Sequence, residues 1–215
     1  MASIYLEQTL NLVPASPETL DAFIDFAGKS FVPVCKRLGC RLVIAWSNNQ
    51  EWFCQVKHVL EFDGLEALKS FRRRASQDAE WGEYAAHLEE VAPVRRTRLL
   101  EPLAPIWPDI LRKAAEDSRQ SPVGAYFAAI LSVAPNQWTD LVAALSQPPP
   151  DFPIVCSWRP VSGDPNELID LWQGSLPSGY QPATENMLEF FRDLRVRAPK
   201  ERVEPVLTLP YSDLR

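Results

Sequence analysis

Ile4-Tyr5-Leu6-Glu7-Gln8-Thr9-Leu10-Asn11-Leu12-Val13-Pro14 returns, degenerate, as Ala125-Tyr126-Phe127-Ala128-Ala129-Ile130-Leu131-Ser132-Val133-Ala134-Pro135. Tyr5 and Tyr126, Leu10 and Leu131, and Pro14 and Pro135 are each 121 residues apart. Later landmarks recur at shrinking spacings: Trp46 and Trp158 at 112, Gly64 and Gly174 at 110, Pro93 and Pro199 at 106. A falling spacing means one unit present twice, the second copy shortened.

Each copy has the same order of elements. Residues 3–14 read as a strand. Leu20, Phe23, Ile24, Ala27, Phe31 and Val34 recur at helical spacing, so 17–37 reads as an amphipathic helix. Pro33 should kink it or split it in two, and Gly39 ends it. Residues 41–47 and 52–62 form a hairpin around Asn48-Asn49-Gln50. Helices over 65–75 and 77–90 follow, then a strand over 95–103. The order β-α-β-β-α-β is that of a ferredoxin-like split unit. The second copy reads as strands at 124–134, 153–160, 166–173 and 201–209, with helices at 135–147 and 183–197. The expected division is 1–103 for the first unit, 104–122 for a linker with a short helix at 109–118, and 123–215 for the second. Pro148-Pro149-Pro150 is a stiff connector.

Of 215 residues 46% are hydrophobic and 23% charged, an ordinary globular composition. A net charge of −6 argues against nucleic acid, which needs a basic surface. Cys35, Cys40, Cys54 and Cys156 form no C-x-x-C pair, and there are only two histidines, which argues against structural zinc. The cysteines read as reduced thiols of a cytoplasmic protein. No signal peptide and no run of 18 apolar residues is present, so no membrane partner is expected.

The strands have little polar alternation. Leu42, Ile44 and Trp46 are expected on one face, Val43 and Ala45 on the other. Both faces of such a sheet must be covered, since wet apolar surface costs about 25 cal/mol per Å². Helices cover one face; the sheet of the second copy can cover the other. The predicted fold is α+β, two ferredoxin-like units in one chain with antiparallel sheets apposed.

This arrangement resembles the NIPSNAP-like family of the dimeric α+β barrel superfamily. The residues that carry the likeness are the Tyr5 strand, Lys36-Arg37-Leu38-Gly39, Val56-Lys57-His58-Val59-Leu60-Glu61-Phe62, Arg72-Arg73, Asp78-Ala79-Glu80-Trp81 with Tyr84, and Arg98-Leu99-Leu100-Glu101-Pro102-Leu103. Of the family's H-x-W-x-Y strand, His58 and Phe62 are kept, with Leu60 in the tryptophan position. The resemblance implies a ligand held between a sheet and its helices. It leaves open cofactor-free monooxygenases, cyclases, isomerases, haem binders and non-catalytic proteins, because fold does not fix function.

Nucleophile-elbow, phosphate-loop, dinucleotide and zinc-protease motifs are absent. His58 is the leading acid/base candidate, a lone titratable group among apolar strand neighbours; the bland reading is a hydrogen-bonded core histidine. Glu7 and Tyr5 share a strand face. Glu7 is either poised as acid or base or paired with Arg96, Arg98 or Lys57. Arg98, Gln8 and Gln55 could orient a carbonyl or enolate. Trp46, Trp52, Phe62 and Trp81 could wall a pocket for a planar apolar ligand, or be core. Arg72-Arg73-Arg74 reads as a solvated face, as does the helical trio Glu83, His87 and Glu90; no metal site is expected. At spacings of 110–111 the second copy offers Leu168 or Ile169 opposite His58, so the pocket is expected in the first unit. The reading is a cofactor-independent cyclase or isomerase of hydrophobic, polyketide-like or polycyclic molecules, acting as monomer or homodimer. The alternatives are a cofactor-free monooxygenase, a non-catalytic binding or adaptor protein, and, more remotely, haem binding through His58.

Overall fold

The computed structural model describes residues 3–147, 152–174 and 184–215; the triple proline falls outside them. The first half runs β1 (Ile4–Asn11), α1 (Pro17–Phe26), a π-helical turn (Ala27–Phe31), α2 (Val32–Arg37), β2 (Arg41–Asn48), β3 (Gln55–Phe62), α3 (Leu65–Ala75), α4 (Ala79–Val91) and β4 (Val94–Pro102). Linker helix α5 (Trp107–Gln120) leads to β5 (Tyr126–Ser132), α6 (Trp138–Leu145), β6 (Ile154–Pro160), β7 (Glu167–Gln173), α7 (Glu185–Arg197) and β8 (Lys200–Thr208). Caps fit the boundaries: Ser16, Asp78 and Thr184 side chains accept from the backbone N–H three residues on. Pro33 splits the long helix as expected. It has no N–H and its ring crowds the carbonyl four residues back, and the turn immediately before it is widened to π geometry.

All eight strands close one barrel in the order β1-β3-β2-β8-β5-β7-β6-β4. Each half contributes a four-stranded antiparallel sheet with its helices outside. The seams join the second strand of one half to the fourth of the other, β2 to β8 and β6 to β4. The seams are themselves repeated: Leu209 N–H donates to the Ala45 carbonyl as Leu103 N–H donates to that of Ser157. So is a β-bulge, at Val43 in β2 and at Val155 in β6.

The bulge corrects the expected faces of β2. Leu42 pairs with Leu60 and packs under the helices, whereas Ile44, one residue of register later, pairs with Val59 and enters the barrel with Trp46. The lumen is filled: Tyr5 meets Trp158 edge-on at 5.7 Å between centroids. The void left among Ile44, Trp46, Val59, Leu100 and Trp158 is about 20 Å³, room for about one water.

Candidate functional site

The first sheet sorts the expected site residues onto two sides. His58, Gln8, Phe62 and Trp81 lie on the helix side; Glu7, Tyr5, Arg98, Trp46 and Gln55 lie on the barrel side. His58 and Glu7 therefore cannot act on one substrate atom, nor can Trp46 and Phe62 wall one pocket. The alternation that brings Glu7 and Tyr5 inward turns Gln8 outward against His58, its cross-strand partner. Trp52 belongs to neither side. It sits on the β2–β3 loop, 40% exposed, its indole N–H donating to the Leu12 carbonyl.

On the helix side His58 is wholly buried. Phe31, on the π turn, stacks on it at 4.9 Å and Phe23 at 6.2 Å. Its Nε2 is 2.8 Å from the Tyr211 hydroxyl and its Nδ1 3.4 Å from Gln8 Oε1. Burial pushes the imidazole down to about 3, so it is neutral at physiological pH. Tyr211 reaches this spot from the C-terminal tail after β8, crossing from the other half. Burial raises its phenol well above the ordinary value. Phe62, Phe71, Trp81 and Tyr84 continue the aromatic cluster. Phe23 also forms the inner wall of a mostly apolar surface cleft of about 320 Å³ between α1 and α4.

On the barrel side charges are paired. Arg98 grips Glu7 through two bonds, Nε–Oε1 at 2.9 Å and Nη2–Oε2 at 3.0 Å, and also holds Glu167. Glu7 is thus the ion-pair partner of Arg98, the plainer of its two readings. Lys57 Nζ meets Glu204 Oε2 at 2.9 Å, both buried, with the Asn48 amide donating to the same oxygen. Tyr5 donates to Glu61, which also receives Ser3 and Arg112, and burial lifts its phenol well above the usual range. Gln55 donates to Asn11 near one end of the barrel.

The second half holds a buried acid that sequence spacing missed. His58 pairs with Gln8 and Ala45; at the same lattice point Asp170 pairs with Ala129 and Ser157. The spacing there is 112, not 110, so Asp170 answers His58, and Leu168 and Ile169 do not. The error lies in Gly64 and Gly174, which are unrelated glycines. Gly64 has φ +88° ahead of α3, whereas Gly174 stands opposite Ala125, where a Cβ would meet Phe127 Cε1 at 2.7 Å. Asp170 is fully buried. Ser157 Oγ donates to its Oδ1 at 2.6 Å, and Oδ2 has no partner among the described residues. Burial pushes its carboxyl up to about 7. At the 106 spacing the tail's Tyr211 answers to Pro105, which has no hydroxyl to offer.

No family profile and no curated protein matches the sequence. Solved structures do. A candidate monooxygenase from Lactobacillus acidophilus NCFM superposes with TM-score 0.64 at 10% identity, over 97% of this chain and 94% of that one. An anthrone oxidase-like protein gives 0.51 at 9% identity, over 97% and 92%. A NIPSNAP domain protein from Burkholderia xenovorans gives 0.41 at 13% identity, over 46% of this chain and 93% of that one. The two full-length likenesses establish the fold, a dimeric α+β barrel with both halves in one chain. Among the described residues no helix is long and apolar enough to cross a membrane.

Proposed function

We propose that the chain binds a planar, hydrophobic small molecule in the helix-covered space of its first half and transforms it by proton transfer at His58, without a cofactor. The reading rests on one observation: a neutral, doubly hydrogen-bonded His58 among aromatic rings, one of which, Phe23, separates it from an apolar surface cleft. Moving Phe23 aside joins the cleft to the histidine. A substrate enol or phenol beside Nε2 would replace apolar surroundings with a polar partner and return the imidazole toward its ordinary basicity. The substrate hydroxyl would take the place of Tyr211 at Nε2, while Gln8, accepting from Nδ1–H, holds the ring in one orientation. Aromatic walls would restrict a flexible substrate, which in favourable cases lowers a barrier by up to ~7–11 kcal/mol. Cyclisation or isomerisation of a polycyclic substrate fits these groups. Cofactor-free oxygenation is the second reading; the names of the two full-length structural neighbours favour it. The reading keeps the division at 1–103, 104–122 and 123–215, with the pocket in the first unit, and a cytoplasmic setting for four buried thiols.

Anthrone, a planar tricyclic ketone, is a suitable probe. Calorimetry should show binding that is stronger in Phe23→Ala and lost in His58→Phe. Turnover above the protein-free rate with oxygen uptake supports oxygenation; turnover without it supports isomerisation. Binding without turnover leaves a non-catalytic carrier. Absence of binding by both the wild type and Phe23→Ala overturns the proposal.

A further inference from the structure

We propose that the mouth of the barrel is a binding site for a small carboxylate, which the chain's own Glu51 occupies in this structure. Arg96 on β4 and Arg202 on β8 hold equivalent positions in the two halves, 106 residues apart, and their strands lie opposite each other in the ring. Each takes a different oxygen of Glu51: Arg96 Nη2 meets Oε2 at 2.5 Å and Arg202 Nη1 meets Oε1 at 3.2 Å. Each oxygen of the carboxylate thus accepts one charge-assisted hydrogen bond, from a different strand.

Around this clamp lies a polar cleft of about 300 Å³, at the lower end of ligand-site sizes. Its charge count leaves room for one anion. Set Glu51 aside, and the four cations Lys57, Arg96, Arg98 and Arg202 face three fixed anions, Glu7, Glu167 and Glu204. The floor is anchored, since Lys57, Glu7 and Glu204 are all buried. Only the void of about 20 Å³ lies beneath it, so a ligand must end at this layer. Thr9, on the barrel face of β1 opposite Arg96, adds a hydroxyl to the wall, which favours a short hydroxy-carboxylate.

Glu51 is the group free to leave. It sits on the loop between β2 and β3, while the other charged groups sit on strands. That loop is tied independently of Glu51, by Cys54 N–H to Asn49 Oδ1 and by Trp52 to Leu12, so a rotation of one side chain vacates the clamp. The mouth and His58 lie on opposite faces of the first sheet, so this inference and the proposed function stand or fall separately.

Lactate at constant ionic strength, with chloride as control, is the probe for calorimetry and thermal unfolding. An intramolecular competitor acts at high effective concentration, so Glu51→Ala should bind lactate about tenfold or more tightly than the wild type. Adding Arg202→Ala or Arg96→Ala should abolish the gain. Equal affinity in the wild type and Glu51→Ala, or a gain that survives loss of either arginine, overturns the proposal. Should Glu51→Ala not fold, Glu51→Gln, which removes only the charge, carries the same two outcomes.

Discussion

Replacing Asp170 by asparagine should favour the folded protein by several kcal/mol more at pH 8 than at pH 4. The folded carboxyl titrates at about 7, against an ordinary 3.8. Between these values the folded chain holds a proton that the unfolded chain has released. The stability this carries is whole below about pH 4 and is lost as pH rises through about 7. Three pH units at ~1.36 kcal/mol each come to about 4 kcal/mol. The substituted amide would have no proton to lose. Its carbonyl oxygen can still accept from Ser157, and its NH2 stands where the neutral acid has an O–H, adding one buried N–H whose cost is the same at every pH and so leaves the pH dependence untouched. For a chain of this size the change between the two pH values is about 8–16 °C in Tm. His58 pulls the other way: with its folded value at about 3 and its ordinary value at 6.5, its contribution is whole above about pH 6.5 and lost as pH falls toward 3. The wild type should therefore be nearly flat between about pH 4 and 6.5, and Asp170→Asn should climb across that window. Urea unfolding followed by tryptophan fluorescence from pH 4 to 8 measures the difference, in which titrations common to both proteins cancel. A gap between the two that changes by less than about 1 kcal/mol from pH 4 to 8 refutes the reasoning.

Arg98→Ala strips Glu7 and Glu167 of their partner and should cost about 2–3 kcal/mol, below the range for a fully buried pair because Arg98 keeps 30% of its side chain in water; chemical denaturation checks this, and binding at His58 should not change. Tyr211→Phe leaves a His58 nitrogen unpaired and should lower stability by about 1–3 kcal/mol in the same assay. Gly174→Ala should cost about 1–3 kcal/mol through the Phe127 ring, with partial rescue by Phe127→Leu. Gly64→Ala should cost about 1–3 kcal/mol in the same assay, because φ +88° with ψ 178° is a backbone region open essentially to glycine alone.

The scaffold was legible because its signals are local and repeated. Tyr5 with Tyr126 and Pro93 with Pro199 bracket strands that do occupy equivalent places in the two halves. Site geometry was less legible, for two reasons. A bulge reverses facing with no composition change to mark it: Val43 looks like any strand valine, yet it separates Leu42 from Ile44 and sends Trp46 away from Phe62. Partners distant in sequence were also hidden. Tyr211 reaches His58 from 153 positions on, and nothing in the tail announces it. Asp170 could have been found by counting from Trp158 across a hairpin of unchanged length rather than from a chance pair of glycines.

A ring assembled from two separate copies of one polypeptide is bound by its own symmetry: whatever stands at one lattice point stands at its mate. Joining the copies end to end lifts that restriction. Here the mated points hold an imidazole and a carboxylic acid, groups with opposite appetites for protons. Covalent connection thus lets one side specialise while the other compensates, a freedom no self-paired assembly of identical chains can have.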